Sequence, residues 1–385
     1  YVKHLSTIMS QLEKNIHQKT FILDVLRGVA AIVVLIGHAR WLLWEGYSDG
    51  YILHPEMYGW FDTCMVYFLL LFKVGHQAVL LFFVLSGFVI HYSTYKSWLR
   101  SSTFSIPQYI YKRFKRIYPP FIFAILLTFL LDSIGKSLGY SIYDSNSAFY
   151  VESDLSMRTL LGNLSMLQTV YANVWGSNSP VWSLMYEWWF YLLYIPIFYA
   201  NKKQPYFTTL VVCMLCALNI SFDIGLPLLY VKVFNYFLAW YVGLVLADIY
   251  LKRYSRKVMI ASIASIVSTI GFLLVFQAQN ITKDLALAVL MALLIYVALI
   301  YSYKIDFFKR FRVLGDFSYT LYVIHYPILT LFAGFIIHTN NGNRPAGFGY
   351  MSIGIAVCLV LAWLIHLFVE KPFVKKSQTK ETTHS

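Results

Sequence analysis

A chain of 385 residues in which 59% are hydrophobic and only 13% are charged is not a soluble domain, where about a quarter of residues carry charge. Its mean hydropathy of +0.61 assigns it to the membrane, and its length leaves room for roughly ten spans with short loops and no separate soluble domain. The net charge of +13 is first a cytoplasmic-loop bias, and its scatter over several loops speaks against nucleic acid as a partner. Cys64, Cys213, Cys216 and Cys358 all sit in apolar runs, so the C-x-x-C at 213–216 reads as helix packing. No metal site is expected.

In chain order, residues 1–20 are polar and read as a cytoplasmic tail; because the sequence starts at Tyr1 rather than Met, a few residues are expected to precede it. Residues 21–43, FILDVLRGVAAIVVLIGHARWLL, are long and apolar enough to span a bilayer and lack a cleavage site, so they are expected to be retained. The stretch nevertheless carries Asp24, Arg27 and His38. Arg27 and His38 are eleven positions apart, about three helical turns, which puts them on one face roughly 16 Å apart along the axis. Small residues at Gly28 and Ala31 leave space on that face. Charge at membrane depth is expensive and usually faces a bundle interior.

An outer loop at 45–60 and an outer or re-entrant helix follow, then a second span at 77–95 with Ser86 and Gly87 at its middle, read mainly as helix packing. The basic segment 96–116 is expected inside. Its end, KRFKRIYPP, sets Arg113 and Arg116 on one face at i, i+3, a fork suited to phosphate. A third span runs from Pro120 to about 134, and 135–180 is the longest polar interval, placed outside. SNSPVWSLMYEWWFYLLY opens a fourth span near 181, with Ser183, Glu187, Tyr191 and Tyr194 on one face; a carboxylate at that depth demands a partner. Spans five to eight fall at about 206–221, 228–250, 258–276 and 284–302. Span nine, 317–338, carries Ser318, Tyr322 and His325 on one face, and Pro327 frees a backbone carbonyl near His325. Span ten is about 348–369, followed by a cytoplasmic tail at 374–385. His54, His76, His91, His338 and His366 lie nearer span ends or in loops and are assigned no role. The alternation of Lys and Arg supports ten spans with both termini cytoplasmic. The fold class is thus all-α and polytopic, with one membrane domain at 21–373.

These segments together resemble the acyltransferase 3 family of integral-membrane acyltransferases, which includes bacterial surface-polysaccharide O-acetyltransferases. The resemblance covers about 19–373 and rests on LDVLRGVAAIVVLIGH, with its Arg, ten residues, His signature at Arg27 and His38, on FFVLSGFVI, on RIYP at Arg116 to Pro119, on WSLMYEWWFY and on GDFSYTLYVIHYP, in the family's order. Unlike some members, the sequence as it stands carries no C-terminal extracytoplasmic esterase-like domain. The resemblance implies ten spans in a bacterial inner membrane, a cytoplasmic acyl-CoA, with acetyl-CoA favoured, as co-substrate, and a carbohydrate acceptor on the outer side, such as lipopolysaccharide or another surface glycan. No bound cofactor is implied.

On that reading the diphosphate of the donor sits on Arg113, Arg116 and Arg27, with the pantetheine arm along the Gly28–Ala31 face. His38 meets the thioester, as general base or as acyl carrier, the general base being preferred. Glu187, or else Asp24, fixes the His38 tautomer. Tyr118, Trp182, Ser183, Ser318, Tyr322 and His325 complete the substrate site. The competing reading is a transporter or flippase that uses the same buried Arg, Glu and His; the sequence shows no inverted repeat to support it.

Overall fold

The computed structural model describes residues 2–222, 225–276, 278–301 and 306–375, with side chains from 21 to 373 except 306. Most of the expected tail at 374–385, and the parts of expected loops at 223–224 and 302–305, lie outside the described residues.

The described residues form α-helices joined by loops: α1 (Val2–Leu43), α2 (Trp60–Leu70), α3 (Gly75–Ser101), α4 (Ile106–Ser137), α5 (Met157–Leu164), α6 (Trp182–Lys203), α7 (Pro205–Ser221), α8 (Leu228–Tyr250), α9 (Arg256–Val275), α10 (Gln279–Tyr301), α11 (Arg312–Asp316), α12 (Ser318–Thr339), α13 (Gly349–Val369) and α14 (Lys371–Lys375). Among the described residues, eight stretches are long and apolar enough to cross a membrane, starting with Phe21–Tyr51 and ending with Gly349–Phe373. The ten-span reading adds α6 and α7. The first is 22 residues long but carries Glu187 and several Trp and Tyr; the second is apolar but only 17 residues long. The short apolar helix α2 stands where an outer or re-entrant helix is expected. On α10, Leu290, Leu293, Leu294 and Val297 recur at helical spacing and are exposed, as are Ile353, Val357, Val360 and Leu364 on α13. Such stripes belong against lipid. The chain is a multi-pass membrane protein.

Two helices start well before their expected boundaries. The helix α1 begins at Val2, so residues 2–20 continue the first span as one helix. The helix α4 begins at Ile106 and runs straight through Pro119 and Pro120, where a boundary is expected. A proline removes only its own N–H and crowds the carbonyl four residues back. The carbonyls so freed are those of Lys115 and Arg116, and neighbouring groups can satisfy such carbonyls inside a membrane; close by, the Tyr319 hydroxyl donates to the Ile117 carbonyl at 3.0 Å.

The chain divides into two compact units. The first comprises residues up to Ala30, Leu80–Ser105 and Trp189–Asp316. Its α3 and α8 meet through glycines: a methyl group at Gly87 would fall on the Trp240 carbonyl, and one at Gly243 on the Val84 carbonyl. Beside this crossing, Trp240 Nε1 donates to Ser86 Oγ at 3.2 Å, and Ser86 donates to Tyr191 at 3.4 Å. The Ser86–Gly87 pair therefore serves packing. Gly87→Ala is expected to force the helices apart and cost about 1–3 kcal/mol, read as a lower unfolding temperature in detergent; an unchanged midpoint would refute the close crossing.

The same unit buries one carboxylate, Asp248. It accepts hydrogen bonds from His91 Nε2 at 2.8 Å, Arg253 Nη1 at 2.7 Å and Asn201 Nδ2 at 2.8 Å, and the Tyr194 hydroxyl donates to His91 Nδ1 at 2.9 Å. A buried charge survives only when its lone pairs are filled in this way.

The second unit comprises Ala31–Val79, Ile106–Trp188 and the chain from Phe317 onward. Its centre is α12, buried along nearly its whole length and packed against α4 and α13. At the end of α4, buried Asp132 accepts from the Ser177 backbone N–H and hydroxyl, both at 2.7 Å, and from Ser153 Oγ at 2.6 Å. One carboxylate thus fixes two separate strips of the long polar interval.

Candidate active site

The helix α12 brings the key pair together. His325 is fully buried, and its Nδ1 lies 3.0 Å from the Leu321 carbonyl one turn back. A carbonyl only accepts, so His325 Nδ1 carries the proton and its Nε2 holds a lone pair. That Nε2 lies 2.9 Å from His38 Nδ1. His38 Nδ1 must then be the donor, and its own Nε2 keeps a lone pair with no hydrogen-bond partner among the described residues. The chain Leu321 C=O, His325, His38 selects one tautomer at each ring and leaves a single basic nitrogen at its end. The two rings lie nearly parallel, with centroids 5.2 Å apart, and the Tyr326 ring stands perpendicular to His38 at 4.9 Å.

The expected partner for His38 was a carboxylate, with Glu187 preferred over Asp24. The group on His38 Nδ1 is instead His325, 287 positions away. Glu187 is half-buried on α6 within electrostatic reach of Tyr322. Tyr322 donates to the Pro180 carbonyl at 2.8 Å and meets Ser183 Oγ at 2.8 Å. Ser183 and Tyr322 are thus brought together, and Ser318 is buried at the start of the same α12. Trp182 stacks on His76 with centroids 6.5 Å apart.

Pro327 explains a residue that sequence reading missed. Its absent N–H strands the Val323 carbonyl, four positions back, inside a buried helix. Asn178 Nδ2 fills that carbonyl at 2.8 Å. The proline was the available signal, since a freed carbonyl beside His325 needs a donor from elsewhere.

On α4, Arg113 lies over the Tyr109 ring at 5.4 Å, and Arg116 Nη1 donates to Glu370 Oε1 at 2.6 Å. Glu370 is buried and also accepts from Thr320 Oγ1 at 2.6 Å, with His366 Nδ1 at 3.1 Å. Both Glu370 and His366 stood outside the expected site. Arg116 is thus anchored on one side by a buried carboxylate. Arg116→Ala is expected to leave Glu370 uncompensated and cost about 3 kcal/mol; pairing it with Glu370→Gln should restore much of the unfolding temperature, and failure of the double variant to recover would refute the coupling. Tyr118 donates to the Leu164 carbonyl at 3.2 Å and stacks on Phe114 at 4.3 Å.

In the other unit, Asp24 lies 3.5 Å from Arg27 and 3.2 Å from Arg312. The space expected at Gly28 for a pantetheine arm is filled: a methyl group there would fall on the Leu314 side chain and the backbone of Leu314 and Gly315. Gly28 is small because α11 approaches it.

A family model described as an acyltransferase domain, Acyl_transf_3, matches residues 21–363. Among curated proteins, the chain is 25% identical to the peptidoglycan O-acetyltransferase OatA of Listeria monocytogenes, a match that covers 79% of this chain and 52% of that protein. The chain therefore spans about half the length of the curated relative it matches. No solved structure matches. With the Arg27 and His38 signature and the other four motifs inside the matched range, the chain belongs to the acyltransferase 3 family of membrane acyltransferases.

Proposed function

We propose that this chain is a membrane O-acetyltransferase that takes the acyl group from acyl-CoA on the cytoplasmic side of a bacterial inner membrane and passes it to a hydroxyl of a surface glycan on the outer side, using ten spans with both termini cytoplasmic. The observation that carries this reading is the His38–His325–Leu321 chain, which leaves one unprotonated imidazole nitrogen at His38 Nε2. That is the form in which histidine removes a proton from a hydroxyl.

The acceptor hydroxyl gives its proton to His38 Nε2 as its oxygen attacks the thioester carbonyl. The tetrahedral intermediate collapses, the C–S bond breaks, and the departing thiolate takes the proton back from Nε2. The ester and free CoA-SH leave with His38 neutral again. While His38 carries the extra proton, His325 Nε2 accepts its Nδ1–H, which keeps the ring oriented and the positive charge partly compensated. On the donor side, Arg113 and Arg116 face the phosphates of CoA, Arg116 being held in place by Glu370. Guanidinium forks suit phosphate oxygens.

The test uses purified chain, labelled acetyl-CoA and a panel of cell-surface glycans. His38-dependent transfer of label to a glycan is the expected result. No transfer to any acceptor, together with counter-flow of a solute across vesicles, would overturn it in favour of a transporter.

A further inference from the structure

A cavity of about 710 Å³ opens at Tyr326, whose ring packs against His38, and its size is within the range of roughly 300–1,000 Å³ typical of small-molecule sites. It is walled by the polar interval 150–179 together with Trp41 and Tyr326. Both of these belong to the elements that carry the histidines: Trp41 lies one turn after His38 on α1, and Tyr326 follows His325 and sets its ring against His38. A group bound in the cavity and touching Tyr326 therefore reaches the edge of the dyad.

The walls have a definite chemistry. Trp41, Tyr150 and Tyr171 are 48%, 40% and 49% exposed, and all three line the cavity. Glu152, Asp154, Arg158 and Asn173 line the same cavity. Their positions are fixed by bonds within the interval: Asn173 Nδ2 donates to Glu152 at 2.9 Å and Arg158 to the Tyr171 carbonyl at 3.1 Å. Hydrogen bonds from Thr159 and from the Ser156 backbone hold the Asp154 carboxyl below the usual carboxylate range, so it is ionised at neutral pH. Asp132 fixes the strips on either side through Ser153 and Ser177. Two carboxylates against one guanidinium leave the walls net negative, which repels a polyphosphate such as the CoA diphosphate. Flat apolar rings and planar hydrogen-bonding groups in one cavity suit a ligand with C–H faces and a rim of hydroxyls.

We propose that this cavity is the acceptor site, and that it takes an uncharged oligosaccharide stacked on Trp41, Tyr150 and Tyr171 with one hydroxyl delivered past Tyr326 to His38. The assignment rests on the O-acyl-transfer reading above, but its test does not. Full-length chain in detergent is titrated with chitotriose, cellotriose and maltotriose and followed by saturation-transfer NMR. At least one sugar is expected to bind saturably. Trp41→Ala and Tyr171→Ala should each weaken it about tenfold, while Tyr171→Phe, which keeps the ring, and Tyr350→Ala, an exposed ring outside the cavity, leave it within twofold. His38→Ala should retain sugar binding, and excess free CoA should not displace the sugar. Absence of saturable binding by all three sugars, equal affinity in both ring-deleted variants, or displacement by CoA overturns the acceptor site. Sugar binding without His38-dependent transfer would overturn the transferase reading alone.

Discussion

Replacing His38 by alanine should lower acyl transfer by about 10²–10⁴-fold, the span that general acid–base catalysis contributes. His38 is the terminal group of the proton-bearing chain, and no second basic nitrogen of the dyad is available in its place: His325 Nδ1 is committed to the Leu321 carbonyl and its Nε2 to His38. The loss should fall on kcat, with the KM for acetyl-CoA nearly unchanged, because the proposed phosphate contacts lie on α4. His38→Gln should be as inactive as His38→Ala, since an amide is no base. Steady-state kinetics with labelled acetyl-CoA check this, and activity within tenfold of the parent in both variants would remove His38 from the chemistry. A rapid-quench burst separates the two roles for its nitrogen: a proton acceptor gives none, whereas an acyl carrier accumulates label on the protein.

The next largest effect is expected at His325. It touches the reaction only through His38, so it is a positioning residue. His325→Ala removes the acceptor for His38 Nδ1–H and frees the ring to rotate or to take the other tautomer, with its lone pair misplaced. Losing the group that orients a functional imidazole costs roughly 10–100-fold at metal sites and up to ~10⁴-fold where it selects the tautomer of a catalytic base. A fall in kcat of about 10²-fold is therefore expected. His325→Gln, whose carbonyl can accept from Nδ1–H, should recover part of it. A purely structural role predicts a different pattern: both variants would lose thermal stability together and the survivors would retain full kcat. Intact kcat in folded His325→Ala would refute the dyad.

Much of this site was legible along the chain. His38 stood out because its residue type conflicts with the span that holds it, and α12 was marked by Ser318, Tyr322, His325 and Pro327 in one run. Glu187 was marked for the same reason, as a carboxylate at depth. What the linear pattern did not contain was the matching of partners. A polar group inside a membrane must find a partner, yet that requirement is met equally by Glu187, Asp24 or His325. The separation of 287 positions between His38 and His325 carries no periodic signal. Glu370 was likewise hidden, because at the edge of a basic tail it resembles any solvated acid; its burial against Arg116 and Thr320 comes from the way α13 packs on α4 and α12.

The sequence by itself determined that the protein is helical, that it lives in a membrane and that its polar residues cluster on a few spans. Each of these follows from a local rule, since a segment in lipid must satisfy its own backbone hydrogen bonds and so declares itself residue by residue. The tertiary structure alone decided which histidine stands behind His38, that Asn178 answers the carbonyl freed by Pro327, that Gly28 is filled by α11, and that Trp41 and Tyr326 open onto a polar cavity. These are contacts between distant segments, set by which helix faces interlock, and no local propensity encodes them.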